Sequence, residues 1–246
     1  MPLETYVFQR VEKKYMLTEN DAARFLEKIG SSLKHDIYAN STVGSLYLDT
    51  PDFRIIRNSI DAKEYGMKYK EKLRLRGYGE VDHNSRVFLE IKKKFKGVVY
   101  KRRVAMSIEN ALHYLESGTN LIDSQIMREI DYAMKIYEQP KPSCAVFYER
   151  EAFFDTEIPS LRLTFDRNVR YRTDALDLRL GTFGKAILPE DTVLLEIKTD
   201  GGMPLPLSKA LDNLSIYPTS FSKYGTAYTD ILQTKTKIYK GDLIYA

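Results

Sequence analysis

Cysteine is nearly absent: Cys144 is the single one in 246 residues, which excludes an intramolecular disulfide and a cysteine-rich zinc cage. It stands in an apolar run before Tyr148 and reads as a buried structural thiol. Histidine is almost as scarce. His35, His83 and His113 are scattered without metal-ligand spacing, so neither a histidine metal centre nor histidine catalysis is expected. No apolar stretch approaches the roughly 20 residues needed to span a bilayer. Met1-Pro2-Leu3-Glu4 lacks the basic start and apolar core of a secretion signal, and a cytoplasmic protein is expected. A surplus of one charge sign is missing too, since 38 basic residues face 34 acidic ones for a net +4. Charge must therefore act through its placement.

Placement is informative. In a strand, successive side chains point to opposite faces, so Lys72, Arg74 and Arg76 share one face while Leu73 and Leu75 share the other. Glu90 and Lys92 alternate with Leu89 and Ile91, and the tetrapeptide Leu-Glu-Ile-Lys returns at Leu195-Glu196-Ile197-Lys198. Arg10, Glu12 and Lys14, and later Arg162 and Asp166, repeat the pattern. One such strand is an ordinary surface strand, with its charges in water. Many strands with the same charged face need a partner for that face. The expectation is an α+β protein whose strands close into a barrel, charges inside and helices packed on its outside, with no open edges. Its interior would take a polyanion.

Taken in order, residues 8–17 read as a strand. Thr18 with Asp21 caps a helix that ends at Gly30, and residues 41–49 read as a strand closed by Thr50-Pro51-Asp52. Residues 53–60 are either a short helix or an irregular turn. Residues 65–77, 86–94 and 98–106 form a meander, with Gly77 and Gly79 at one turn and Lys96-Gly97 at the next. Ser107 and Ser124 open two helices, the first stopped by Gly118 and the second by Pro140 and Pro142. No flexible linker flanks them, so residues 1–246 read as a single domain with a helical insertion at about 107–140. Strands resume at 145–153, 161–169 and 187–198, followed by helices at 207–214 and 220–232. Lys223 falls in the first turn of the last helix, where a cation opposes the macrodipole unless an anion is bound there. A solvated surface lysine is the equal alternative.

Eight motifs occur in order: Arg10-Val11-Glu12-Lys13-Lys14-Tyr15, Ser45-Leu46-Tyr47-Leu48-Asp49-Thr50, Leu73-Arg74-Leu75-Arg76-Gly77-Tyr78, Glu90-Ile91-Lys92, Tyr100-Lys101-Arg102-Arg103, Tyr148-Glu149-Arg150, Leu194-Leu195-Glu196-Ile197-Lys198-Thr199 and Ser222-Lys223-Tyr224. Together they resemble the polyphosphate polymerase domain of the vacuolar transporter chaperone family, within the triphosphate tunnel metalloenzymes. The resemblance spans about residues 8–232. It implies a closed eight-stranded antiparallel β-barrel as the tunnel, a divalent cation (Mn2+ or Mg2+), and transfer of phosphoryl groups from ATP or another nucleoside triphosphate to inorganic polyphosphate.

Matched residue by residue, the resemblance assigns phosphate binding to Lys14, Arg74, Arg76, Lys92, Lys101, Arg150, Arg162, Lys198 and Lys223. Arg74, Arg76, Lys92, Lys198 and Lys223 are the catalytic cations among these. The same matching implies Glu196 as the metal ligand, with Glu12 and Glu90 as supporting carboxylates. Arg10 stands where the superfamily's usual Glu-x-Glu-x-Lys start has its first glutamate, which fits the polymerase branch better than the hydrolytic one. DNA has no role in this reading. Transport across a membrane would fall to a membrane-protein partner.

Two alternatives stay open at this point. The same site serves a triphosphatase if water reaches the γ-phosphate. A non-catalytic module for polyphosphate, inositol phosphate or RNA could use the basic strands with Tyr47, Tyr69, Tyr78 and Tyr148 as stacking surfaces. Paired glutamates on the basic face argue against a pure phosphate-backbone groove. For the tunnel, removing a cation such as Arg74 is expected to relieve repulsion and stabilise the empty protein.

Overall fold

The computed structural model describes residues 11–30, 32–64, 69–96 and 98–242. Arg10, the expected strand start at 65–68 and Gly97 of the expected tight turn lie outside them. The chain divides into two compact units. One takes the described residues up to Ser41, with Tyr148–Asn168 and Leu188–Ser220; the other takes Thr42–Phe147, Val169–Ile187 and the chain from Phe221 onward.

The elements follow β1 (Val11–Thr18), α1 (Glu19–Ile29), β2 (Leu33–Asp49), α2 (Arg54–Glu64), β3 (Tyr69–Tyr78), β4 (Arg86–Phe95), β5 (Val98–Ser107), α3 (Ile108–Ser117), α4 (Gln125–Ile136), β6 (Lys141–Asp155), β7 (Arg162–Arg172), β8 (Lys185–Ala186), β9 (Thr192–Thr199), α5 (Leu205–Asn213), β10 (Pro218–Thr219) and α6 (Lys223–Asp242). The helix starts are set by the hydroxyls that sequence pointed to. Thr18 accepts from Asp21 N at 3.1 Å, Ser107 from Asn110 N at 3.2 Å and Ser124 from Met127 N at 3.1 Å. Gly118 ends α3 at φ 73°, a left-handed conformation that glycine adopts without strain. The ambiguous stretch after Pro51 is helical because Asp49 lies ahead of it, accepting from Ile55 N at 2.9 Å and Ile56 N at 3.1 Å. A carboxylate there satisfies orphan donors and complements the helix dipole.

In the first unit, β9 lies between β1 and β7, antiparallel to both. Its apolar face, built from Tyr15, Leu17, Leu163, Phe165, Val193, Leu195 and Ile197, is buried with Phe25 of α1 and Leu207 and Leu211 of α5. In the second unit β2, β3, β4 and β5 pair antiparallel in chain order. Leu46, Leu48, Leu73, Leu75, Leu89 and Ile91 are buried there with Ile108, Ala111 and Leu115 of α3 and Met127, Ile130 and Met134 of α4. Truncating any one of these leucines to alanine is expected to cost about 2–5 kcal/mol. Helices α3 and α4 fall within the expected insertion and pack on the apolar face. Cys144 is buried, and burial pushes its thiol up to about 12, in keeping with a structural role.

The expected closed eight-stranded barrel needs correction. Among the described residues eight strands have eight residues or more, and β8 and β10 add two residues each. The hydrogen-bonded order β10-β1-β9-β7-β6-β2-β3-β4-β5, with β8 on β7, has two ends and does not close. Both end strands are poor templates for further pairing. Pro218 of β10 has no N–H to donate, and β5 carries the consecutive cations Lys101, Arg102 and Arg103.

Candidate phosphate and metal-binding faces

The strand registers sort the polar residues of the second unit into rows across the sheet. Lys72, Lys92 and Lys101 stand directly opposite one another on β3, β4 and β5. The next row is Tyr47, Arg74, Glu90 and Arg103, and the one after it begins with Ser45 and Arg76. Three lysines side by side repel, because directly opposed like charges destabilise a sheet. One carboxylate, Glu90, organises the neighbouring row. Its Oε2 accepts from Arg74 Nε at 2.8 Å, and its Oε1 lies 2.7 Å from Lys101 Nζ. Burial alone would raise Glu90, but Arg74, Arg76 and Lys101 outweigh it and hold the carboxyl at about 2. Burial lowers Lys101; Glu90 opposes that, Arg74 and Arg76 add to it, and the ammonium ends at about 8.

Tyr47 lies among these cations. Burial raises its phenol, yet Arg74, Lys72 and Arg76 bring it down to about 8. Its ring stacks on Tyr224 at 4.3 Å between centroids, and the Tyr224 hydroxyl donates to Asp49 Oδ2 at 2.8 Å. Tyr224 belongs to the first turn of α6, so this pair fixes where that helix begins. Ser222 Oγ, just ahead of the helix, accepts from Gly225 N at 3.1 Å and from Lys72 Nζ at 2.7 Å. Lys223 is the first residue of α6. A positive helix terminus thus has two lysines beside it, an arrangement that favours an anion.

The first unit carries its own polar face. Lys14 is opposite Glu196, Glu12 is opposite Lys198, Arg162 is opposite Lys198 and Thr164 is opposite Glu196. Lys198 Nζ lies 2.9 Å from Glu196 Oε1, and Lys14 Nζ lies 3.6 Å from Glu12 Oε1. Burial works to raise Glu196, and Lys198, Lys14 and Arg150 hold it well below the ordinary carboxylate range. Arg150 makes a forked contact with buried Asp166, Nε to Oδ1 at 2.6 Å and Nη2 to Oδ2 at 2.8 Å, and lies over the Tyr148 ring at 5.1 Å. Arg162 is turned elsewhere: its Nη1 donates to the carbonyls of Pro159 and Leu161 at 2.7 and 3.0 Å.

The chemistry of a metal can be tested against these groups. Among the described residues, no three His, Cys, Asp or Glu side chains gather to hold an ion. Glu196 is nevertheless ionised and buried, and across from it Thr164 has a buried Oγ1 without a hydrogen-bond partner among the described residues. Such a site fits magnesium or manganese, which takes one or two protein carboxylates and completes its shell with phosphate oxygens and water.

Sequence parity identified the cationic faces and placed Glu90 on one of them, but not the partners that Glu90 and the other organisers take. Lys72 was legible as part of the face, though outside the expected binding set. Asp166 was legible only as a charge on its strand, because its link to Arg150 depends on how two distant strands pair. The seat of Tyr224 on Asp49 carried no sequence signal.

Residues 9–231 match the VTC domain family, and the chain belongs to that family. No curated protein matches the sequence. Among solved structures, a putative adenylate cyclase from Bacillus halodurans is similar at a TM-score of 0.53 and 14% identity, covering 87% of this chain and 93% of that one. A putative adenylyl cyclase from Hippeastrum, described as having a dominant triphosphatase activity, is similar at 0.52 and 14%, covering 90% and 96%. These likenesses show a shared α+β fold of antiparallel strands with helices. Among the described residues no helix is long and apolar enough to cross a membrane.

Proposed function

We propose that this protein transfers the terminal phosphoryl group of a nucleoside triphosphate, ATP in the first instance, to a growing inorganic polyphosphate chain. The carrying observation is the row of Lys72, Lys92 and Lys101 beside the row of Arg74 and Arg103. Cations repeated across several strands suit an extended chain of phosphates better than one isolated group. Membership of the VTC domain family supports the same reading.

In the transfer, a terminal oxygen of the acceptor forms a bond to the γ-phosphorus. The bond from that phosphorus to the β–γ bridging oxygen breaks, and its electron pair leaves with the nucleoside diphosphate. Little covalent chemistry falls to the protein, so positioning and charge neutralisation do the catalysis. In the second unit Arg74 and Arg76 offer planar forks to phosphoryl oxygens, while Lys92 and Lys223 act as point charges; in the first unit Lys198 is a point charge of the same kind. Lys14, Lys101 and Arg150 bind further phosphates, and Arg162 joins them by exchanging its carbonyl contacts for phosphate. A bound manganese or magnesium ion would neutralise charge on the transferred group. Glu196 and Glu12 are the carboxylates for it. Glu90 stays with Arg74 and Lys101, whose heads it orients.

A second reading, triphosphate hydrolysis, is favoured by the triphosphatase activity described for the Hippeastrum neighbour. Incubating the purified protein with ATP and manganese or magnesium, and resolving products by chain length on a gel, decides between them. Metal-dependent long chains are expected. Phosphate release without chains would replace transfer by hydrolysis, and tight triphosphate binding without turnover would leave a binding module.

A further inference from the structure

We propose that the tip of the β4–β5 hairpin docks the protein on an anionic bilayer surface. The apolar row of the second unit's sheet runs outward along alternate residues. Leu73 on β3, Ile91 on β4 and Val104 on β5 are buried in the helix-covered core. One step further out this face turns polar: Tyr137 donates to Glu71 Oε2 at 2.8 Å, and Glu129 lies 3.6 Å from Arg102. Tyr100 stands at the end of that seam row and Tyr69 and Phe95 in the row beyond it, and the three are 43%, 44% and 46% exposed. Tyr69 and Phe95 are directly opposite each other, and Tyr100 is opposite Lys93. Three partly exposed aromatic side chains therefore share one face at the end of the β3–β4–β5 ladder.

Charge surrounds them. Residues 92–103 hold seven basic side chains and no acidic one; Lys92, Lys101 and Arg103 belong to the phosphate rows, and Lys93, Lys94, Lys96 and Arg102 lie outside them. Lys94 and Lys96 are exposed at the turn, and Lys96 Nζ lies 5.3 Å from the centre of the Phe95 ring. A dissolved phosphate chain, with no bases to stack, would use the lysines but gain nothing from exposed Phe95 and Val99. A bilayer interface takes both: aromatic rings sit at headgroup depth, and lysine stems lie along apolar surface while their heads reach anionic lipid. The surface is separate from the phosphoryl chemistry and stands whether or not that chemistry is transfer.

The chain contains no tryptophan, so Phe95→Trp installs a lone tryptophan at the tip, which can be excited apart from the tyrosines. Its emission should shift to the blue, and the protein should co-sediment, with phosphatidylcholine vesicles containing phosphatidylserine but not with phosphatidylcholine alone. Salt should reverse both effects. Lys94→Gln with Lys96→Gln should weaken vesicle binding about twenty-five-fold, at roughly fivefold per lysine. Phe95→Ser with Tyr100→Ser should abolish it, leaving triphosphate binding unchanged. Unshifted emission with no sedimentation overturns the proposal. So does vesicle binding that survives the Phe95→Ser and Tyr100→Ser pair, or emission that responds to single-stranded RNA and not to vesicles, which would assign the tip to a polyanion.

Discussion

Arg74 brings Nε and Nη2 together on a single oxygen of Glu90, Oε2, at 2.8 and 2.6 Å. Glu90 is 1% exposed, so this is a buried ion pair inside a face read from sequence as a set of mutually repelling cations. The pair changes what removal of a cation should do.

Arg74→Ala should lower stability in urea by about 3 kcal/mol, since removing one partner leaves a buried charge under-compensated. This reverses the gain expected from repulsion alone. The double variant Arg74→Ala, Glu90→Gln should recover part of the loss, because neither partner is then left charged and buried. Stability of Arg74→Ala equal to or above wild type would mean that repulsion dominates the face after all.

Acid should expose the same carboxylate. Glu90 titrates at about 2 in the folded protein, below its unfolded value, so the unfolded chain binds the extra proton as pH falls. The stabilisation is complete above about pH 4.5 and is lost progressively toward pH 2, an effect of roughly 3 kcal/mol. Urea midpoints measured across that range should fall more steeply for wild type than for Glu90→Gln. Parallel slopes would show that the cations do not reach Glu90 with this strength.

Tyr47 offers a readout of anion binding that needs no turnover. With its phenol at about 8, one tyrosine should ionise well before the rest in ultraviolet titration, and Tyr47→Phe should remove that step. Because the folded value lies below the unfolded one, this group's contribution to stability should rise with pH from about 8 to 10, by roughly 2–3 kcal/mol. Adding inorganic triphosphate should push the step back up, since the phosphates offset the field of Arg74, Lys72 and Arg76. A titration unmoved by triphosphate would place the anion away from this row.

How far sequence reached can be seen in particular residues. Strand parity placed Lys72, Arg74 and Arg76 on one face and Leu73 and Leu75 on the other, because period two follows from backbone geometry alone. Thr18, Ser107, Ser124 and Gly118 marked helix ends through local hydrogen bonds and backbone conformation. Long-range pairing was another matter. Asp166 meets Arg150 only through the alignment of β6 and β7, and Glu90 meets Arg74 only through the register of β3 and β4, neither of which parity specifies. The two-residue strands β8 and β10 are too short to carry a period. Barrel closure was inferred from the need to shelter charge, yet much of that need is met within each face: Glu90 serves Arg74 and Lys101, and Asp166 serves Arg150.

Glu196 separates binding from chemistry. It is surrounded by Lys198, Lys14 and Arg150 and is held ionised by them, so in the empty protein it partly neutralises the cations that would grip phosphate. Glu196→Gln keeps the shape and removes the charge. Triphosphate binding measured by calorimetry without divalent metal should therefore tighten, by about fivefold for roughly 1 kcal/mol of relieved competition. Turnover with manganese or magnesium should fall by at least two orders of magnitude, if the carboxylate holds the ion that neutralises the transferred group. Tighter binding with lost turnover fits a metal ligand. Weaker binding would mean that Glu196 serves chiefly to position Lys198 and Lys14, and undiminished turnover would move the metal to another carboxylate.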